Sequence, residues 1–180
     1  MLSRVEKFEA ALAQTDCDAV LVTNLKNIYY LTGFSGTEAT VFISKNRRIF
    51  LTDARYTLIA KGVVQGFDIV ETRDAIGEIV KIIADDKLQK IGFDDEISYA
   101  YFKMLESVFS AYELVPMTAF IENLRMIKDE QEIATIRKAC QISDQAFLDV
   151  LDFIKPGETT ELAVMNFLDA RMRQLGASGA

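Results

Sequence analysis

The side chains available for chemistry in this chain are carboxylates, amines, hydroxyls and two thiols, because its 180 residues include no histidine. The missing histidine excludes Ser-His-Asp and Cys-His nucleophiles, His-ligated zinc and His general bases. Cys17 and Cys140 form no CxxC motif, which argues against a zinc ribbon, a thioredoxin-type site and a disulfide scaffold. Any site must therefore be built from the remaining polar groups.

Residues 52–56 form the first candidate, where a predicted strand passes into a predicted helix. Asp53 could hold a metal or accept a phosphoryl group at a strand end. The interpretation we favour is a helix N-cap, in which its carboxylate accepts hydrogen bonds from the first helical N–H groups. Arg55 and Tyr56 could bind a carboxylate, or they could fix the loop to the domain.

Residues 33–38 form the second candidate, a flexible loop with glycine at positions 33 and 36. A phosphate-binding loop needs backbone N–H groups at a helix start and a well-placed lysine. This loop leads into a strand and lacks that lysine. We therefore interpret it as a plain turn or as a loop that faces a neighbouring site.

Three further features have structural interpretations. Asp85-Asp86 and the acidic residues 94–96 have no histidine or distant carboxylate as a partner, so we predict a solvated helix end and a solvated turn rather than metal sites. Cys140 is predicted to pack on the inner face of its helix.

Composition limits the partners. The net charge of −7 excludes a globally basic surface for nucleic acid or anionic lipid. Half of the residues are hydrophobic, which is enough to form a core. No apolar run approaches the roughly 20 residues of a membrane span, and charges stand where a secretory signal needs an apolar stretch. We expect a cytoplasmic protein without nucleic-acid or membrane partners.

Hydrophobic periodicity predicts alternating strands and helices up to about residue 120. The predicted strands are 18–23, 39–44, 48–52, 67–70, 90–93 and 113–115. The predicted helices are 4–15, 54–61, 75–86 and 98–110, with a short helical turn over 24–32. A hairpin turn at 45–47 together with several βα crossovers predicts a mixed sheet in an α/β domain.

From residue 129 onward, the sequence pattern is helical and strand patterns are absent. Apolar residues at spacings of three and four predict one helix over 129–154, beginning with a capping box at Asp129 and Glu132. Pro156-Gly157 ends it. Thr160 is predicted to be the N-cap of a second helix that extends to Leu175, and the large apolar faces of this helical hairpin favour association with a second copy or docking on the α/β domain.

Four segments form a series along the chain: 27–36 (NIYYLTGFSG), 51–56 (LTDARY), 124–133 (LRMIKDEQEI), and 156–163 (PGETTELA) with 175–177 (LGA). Together they resemble the creatinase/prolidase/aminopeptidase P family. The resemblance implies a ribonuclease-H-like N-terminal domain over 1–122. It also implies a hinge and the first two helices of a truncated pita-bread metallopeptidase domain over 123–180.

By this resemblance, the intact protein would be a proline-specific metallopeptidase that hydrolyses the bond before proline with two divalent metal ions, usually manganese. The family's metal ligands lie beyond the equivalent of Ala180, so no metal ligand and no catalytic residue is carried over. The 180-residue chain itself is expected to be inactive.

The resemblance also implies a homodimer in which this domain leans over the active site of the partner subunit. It places Phe34, Ser35, Arg55 and Tyr56 nearest the proline-containing peptide. Two alternatives stay open: a non-catalytic binding or assembly module of the same architecture, and an unrelated α/β domain that binds a small anion at Asp53 or at the Gly33 loop.

Overall fold

A six-stranded sheet lies at the centre of the first of two compact units in the computed structural model, which describes residues 3–179. The strands are β1 (Ala19–Val22), β2 (Thr40–Ser44), β3 (Arg48–Thr52), β4 (Asp68–Glu71), β5 (Lys90–Phe93) and β6 (Glu113–Pro116). Their order is β4-β3-β2-β1-β5-β6. Only β2 runs antiparallel to its neighbours, with 45–47 as the turn between β2 and β3. The predicted mixed sheet is confirmed.

The helices of the first unit follow the predicted order, with three differences. They are α1 (Arg4–Leu12), α2 (Leu25–Thr32), α3 (Thr57–Val63), α4 (Ala75–Asp85), α5 (Tyr99–Val108) and α6 (Phe120–Met126). The predicted turn over 24–32 is a helix, ended by Gly33 at a φ of 75°. α3 begins at Thr57 rather than at residue 54. α6 was not predicted, because it has seven residues and buries only Ile121. The first unit extends to Met126, so the predicted boundary after residue 122 falls within α6.

The sheet separates two hydrophobic cores, because successive side chains of a strand point to opposite faces. On β1, Val20 and Val22 belong to the core on one face, while Ala19 and Leu21 belong to the core on the other. The first core includes side chains from α1, α2, α3 and α6, and the second includes side chains from α4 and α5. Both faces of the central strands are therefore covered.

A buried carboxylate joins the ends of β1 and β5. Asp94, which directly follows β5, is only 7% exposed. Its Oδ2 accepts hydrogen bonds from the backbone N–H groups of Thr23 at 2.8 Å and Asn24 at 2.9 Å, and its Oδ1 accepts one from Asn27 Nδ2 at 3.1 Å. The prediction that residues 94–96 form a solvated turn is wrong for Asp94, because backbone donors some 70 residues earlier in the chain surround it.

Asn27 extends this network to α6. The residue is 1% exposed, and its Nδ2 also donates to Glu122 Oε1 at 2.7 Å. Its Oδ1 accepts from Arg125 Nη1 at 2.9 Å. Each polar side-chain atom of Asn27 thus has a partner, as burial requires. The network connects the loop after β5 to α2 and to α6.

The second unit, from Ile127 onward, contains α7 (Glu130–Phe153) and α8 (Glu161–Gln174). The predicted capping box of Asp129 and Glu132 is confirmed. Thr160 is confirmed as the N-cap of α8, since its hydroxyl accepts from Ala163 N at 3.2 Å. The rings of Phe153 and Phe167 stack with centroids 4.4 Å apart and join the two helices.

Most of the apolar stripe of α7 remains exposed. Within this helix only Ala146 and Val150 are buried, while Phe147 is 60% exposed. Cys140 is exposed as well, so its predicted packing role is wrong. The physical reason is that neighbouring apolar residues of the same stripe, such as Ile136 at 49% exposure, are themselves open to solvent, so α7 has no packed inner face at this position. Across residues 3–179, no helix combines the length and the apolar character that crossing a bilayer demands.

Asp94→Asn is expected to lower the free energy of unfolding by about 1–3 kcal/mol, because the new amide must place its NH₂ group against either the Asn27 donor or two backbone N–H groups. The measurement is urea denaturation at neutral pH. Asp95→Asn is the matched control, since Asp95 is exposed and adjacent. Equal stability of the two variants would contradict the role assigned to Asp94.

The same carboxyl predicts a pH dependence. Burial raises the pKa of Asp94 above its usual value and outweighs the hydrogen bonds from Asn24, Thr23 and Asn27, which lower it. The folded protein therefore keeps this proton at a pH where the unfolded chain has lost it, so stability falls as pH rises from the usual Asp pKa through the folded one. The stability advantage of the wild type over Asp94→Asn should accordingly be larger near pH 4 than at neutral pH.

Candidate functional site

The candidate site lies at the edge of the sheet where the parallel strands end. β1, β3, β4, β5 and β6 all run in one direction, so their carboxyl ends lie along the same edge. In open α/β sheets, ligands bind outside this edge. The two candidate segments of the sequence, 33–38 before β2 and 53–56 after β3, meet there.

Tyr56 joins the two segments. Its hydroxyl is hydrogen-bonded to Thr37 Oγ1 at 2.8 Å. Its ring packs edge-on against Phe34 with centroids 5.6 Å apart, and Phe34 in turn packs against Phe50 of β3 at 5.0 Å. Of the two roles left open for Tyr56, the structure supports fixing the loop to the domain.

Gly36 makes this packing possible. A Cβ at position 36 would lie 2.3 Å from Phe34 Cζ and 2.9 Å from Tyr56 Cδ1. Both distances are shorter than any ordinary contact between carbon atoms. The loop therefore requires glycine for space at this position.

Asp53 and Arg55 form an ion pair on the rim of the site. Arg55 Nη2 lies 2.6 Å from Asp53 Oδ2, and Asp53 Oδ1 accepts from Arg55 N at 2.9 Å. The guanidinium of Arg55 lowers the pKa of the Asp53 carboxyl. The predicted helix N-cap role of Asp53 is wrong, because α3 begins four residues later and Tyr56 occupies the cap position without a side-chain bond.

The four residues expected nearest substrate differ in accessibility. Phe34 is 1% exposed, so its buried ring supports the loop but is not itself accessible. Ser35 and Arg55 are exposed, and Tyr56 is half-buried. Arg55 lies over the Tyr56 ring, with its Cζ 5.4 Å from the ring centroid. The structure thus brings Phe34, Arg55 and Tyr56 together, while Ser35 lies on the outside of the same loop.

Two residues of this edge, Arg73 and Tyr101, were not predicted from the sequence as site residues. Glu38, Arg73 and Tyr101 line clefts beside the Arg55 turn. Arg73 and Tyr101 come from segments far apart in the chain, just before α4 and in the first turn of α5. The only available signal was their position near the ends of predicted elements, which is shared by many residues without function.

A bound metal ion requires several donor side chains close together. Among residues 3–179, no group of three or more His, Cys, Asp or Glu side chains is arranged to hold a metal ion.

Gly36→Ala is expected to destabilise the first unit by about 1–3 kcal/mol, because the added methyl group must displace the Phe34 and Tyr56 rings. Gly62→Ala is the matched control: position 62 lies in α3 with open space around it, so alanine there should raise stability by up to about 1 kcal/mol. Thermal unfolding of both variants provides the measurement. Opposite signs are expected, and an unchanged melting temperature for Gly36→Ala would contradict the packing described.

Comparison with known proteins identifies similar sequences. A family model described as the creatinase/prolidase N-terminal domain matches residues 4–127. The chain is 36% identical to an uncharacterized peptidase of Bacillus subtilis, YqhT, over 98% of the chain and 50% of that protein. The chain spans about half the length of the curated relatives that it matches.

Solved structures of peptidases are similar to this chain as well. An Xaa-Pro dipeptidase from Bacillus anthracis matches with a TM-score of 0.90 and 34% identity, over 98% of this chain and 50% of that chain. An Xaa-Pro aminopeptidase (aminopeptidase P) from Streptococcus thermophilus matches with a TM-score of 0.66 and 57% identity, over 68% of this chain and 95% of that chain. The first of these likenesses extends through both units.

Proposed function

This chain belongs to the creatinase/prolidase N-terminal domain family, and from that premise we propose that it forms the N-terminal part of a proline-specific peptidase. The reaction would be hydrolysis of the peptide bond before proline. The observation that carries the proposal is the match to an Xaa-Pro dipeptidase over 98% of the chain at 34% identity.

The metal chemistry of the proposed reaction does not fit the residues of this chain. The resemblance implies two divalent ions, manganese by expectation. The sequence has no histidine, and residues 3–179 contain no group of three donor side chains arranged for a metal. We therefore derive no reaction step through a metal from these residues.

The role proposed for this chain is to cap the peptidase active site, with residues that lie near the bound peptide. It would also contribute to a homodimer, and the protein would be cytoplasmic. Arg55 is the exposed cation of the loop pair. Its Nε and Nη2 donate to Asp53, and the outer N–H groups of the guanidinium can bind a peptide carboxylate. Tyr56 holds loop 33–38 in place through Thr37. Phe34 supports that loop, and Ser35 presents a hydroxyl on its outer side.

The proposal is tested by expressing the full gene product, including any residues after 180. Hydrolysis of Ala-Pro and Ala-Pro-Ala is then measured, with Ala-Ala as the control peptide. We expect manganese-dependent cleavage of the proline peptides and much slower cleavage of Ala-Ala. The 180-residue chain alone should show neither turnover nor stoichiometric metal. Turnover by this chain alone would contradict the assignment of catalysis to other residues, and an inactive gene product would favour the non-catalytic binding module.

Arg55→Ala should lower kcat/KM of the active gene product by about tenfold or more if Arg55 binds substrate, a change that corresponds to about 1.4 kcal/mol of transition-state stabilisation. Its melting temperature should hardly change, because the Arg55 side chain is 71% exposed and an ion pair to such a side chain contributes little to stability. Tyr56→Phe, which removes one hydroxyl, should have a smaller kinetic effect. Unchanged kinetics for Arg55→Ala would contradict its placement near substrate.

A further inference from the structure

Asp53 is fixed in place by the turn that follows β3. Its backbone carbonyl accepts hydrogen bonds from Tyr56 N and Thr57 N, each at 3.1 Å, and its carboxylate Oδ1 accepts one from Arg55 N at 2.9 Å. The side chain of Asp53 is 17% exposed, whereas the side chain of Arg55 is 71% exposed. The carboxylate therefore has a defined position, while the long side chain of its partner extends into solvent.

The second carboxylate oxygen of Asp53 binds the guanidinium of Arg55. Asp53 Oδ2 accepts from Arg55 Nε at 2.9 Å and from Arg55 Nη2 at 2.6 Å. The same guanidinium lies over the ring of Tyr56. The carboxylate and the ring together restrict the orientation of an arginine that would otherwise sample many rotamers.

Most N–H groups of the Arg55 guanidinium stay available for another acceptor. A guanidinium has five N–H donors in a planar fork. Asp53 accepts from one on Nε and one on Nη2, and Nη1 has no acceptor among residues 3–179. The remaining N–H groups lie on Nη1 and Nη2, and this edge of a guanidinium can bind a carboxylate in a bidentate manner.

We propose that Asp53 is a positioning residue, which orients the Arg55 guanidinium so that its free edge meets the carboxylate of the peptide. This inference rests on the proposed function, in which Arg55 lies near the substrate. Ordering a free arginine side chain during binding would weaken substrate affinity about twofold to tenfold. In this chain Asp53 provides that order before the substrate arrives.

Two other roles of Asp53 lead to different expectations. If Asp53 served only to neutralise charge, its removal would leave a full positive charge at the site and strengthen the binding of an anionic peptide. If Asp53 served only to form the turn, asparagine would replace it without effect, because the asparagine carbonyl oxygen can accept from Arg55 N. Asp53→Asn separates the three roles, because it keeps the turn acceptor, removes the charge and places an NH₂ group against the guanidinium.

The test is the steady-state kinetics of Asp53→Asn in the full gene product, with Ala-Pro as the substrate. We expect KM to rise about twofold to tenfold with kcat nearly unchanged, and the melting temperature to stay near that of the wild type. The kinetics of Ala-Pro-amide, which lacks the carboxylate, should not respond to the substitution. In an Arg55→Ala background, Asp53→Asn should have no further effect. An unchanged or lower KM for Ala-Pro would overturn the positioning role.

Asp86→Asn is the matched control. Asp86 accepts from Arg47 Nε and Arg47 Nη2, both at 2.8 Å, and its side chain is 13% exposed. The pair lies beside the β2–β3 turn, at the opposite end of β3 from the candidate site. Loss of this arginine–aspartate pair should leave KM and kcat unchanged, and a rise in KM equal to that of Asp53→Asn would contradict the proposal.

A second measurement does not depend on peptidase activity. In ¹⁵N NMR spectra of the 180-residue chain, the Nε–H of Arg55 should exchange with water more slowly than that of Arg137, which is exposed and has no hydrogen-bond partner in the described part of the chain. Asp53→Asn should remove this difference. Equal exchange rates in the wild type would overturn the inference. Slow exchange together with an inactive gene product would support the fixed guanidinium and contradict the proposed function instead.

Discussion

The fold of the first unit depends on how one carboxylate is satisfied. Asp94 lies at the point where the order of strands reverses, between β1 and β5. In many open α/β sheets this crevice is where an external anion or ligand binds. Here the backbone N–H groups of Thr23 and Asn24, at the start of α2, are already occupied by Asp94. The chain supplies its own anion at this crevice, and a cleft of about 540 Å³ lies further along the edge, at the ends of β3 and β4.

The same carboxylate also connects α6 to the rest of the first unit. Asn27 bridges Asp94 to Glu122 and Arg125, so a polar chain runs from the end of β5 through α2 to the last helix of the unit. A buried network of this kind stabilises only when every member is satisfied. Loss of one member leaves several donors unpaired, which makes this cluster more sensitive to substitution than the exposed ion pairs elsewhere.

The sequence predicted regular structure well and tertiary polar contacts poorly. Hydrophobic runs located all six strands, and apolar spacings of three and four located the two helices after residue 129. The capping residues Asp129 and Thr160 were correct because a cap depends on residues within one turn. Asp94 was misjudged because its donors are distant in sequence. Asp53 was misjudged because its own neighbour, Arg55, competes for the carboxylate. Arg55 and Tyr56 could be singled out from their types and position, whereas the cleft residues Arg73 and Tyr101 become neighbours only through the fold.

The two outer strands limit how this sheet can grow. β4 and β6 have four residues each, with acidic side chains at Asp68, Glu71 and Glu113, and β6 ends in Pro116, which has no N–H to donate. Short, charged edges of this kind resist pairing with a strand from another chain. Polymerisation through backbone hydrogen bonds is thereby disfavoured, although the mixed sheet keeps two outer strands. Any contact between two copies of the chain would therefore have to be made by side chains rather than by added strands, and each side chain in it could be altered without changing the sheet.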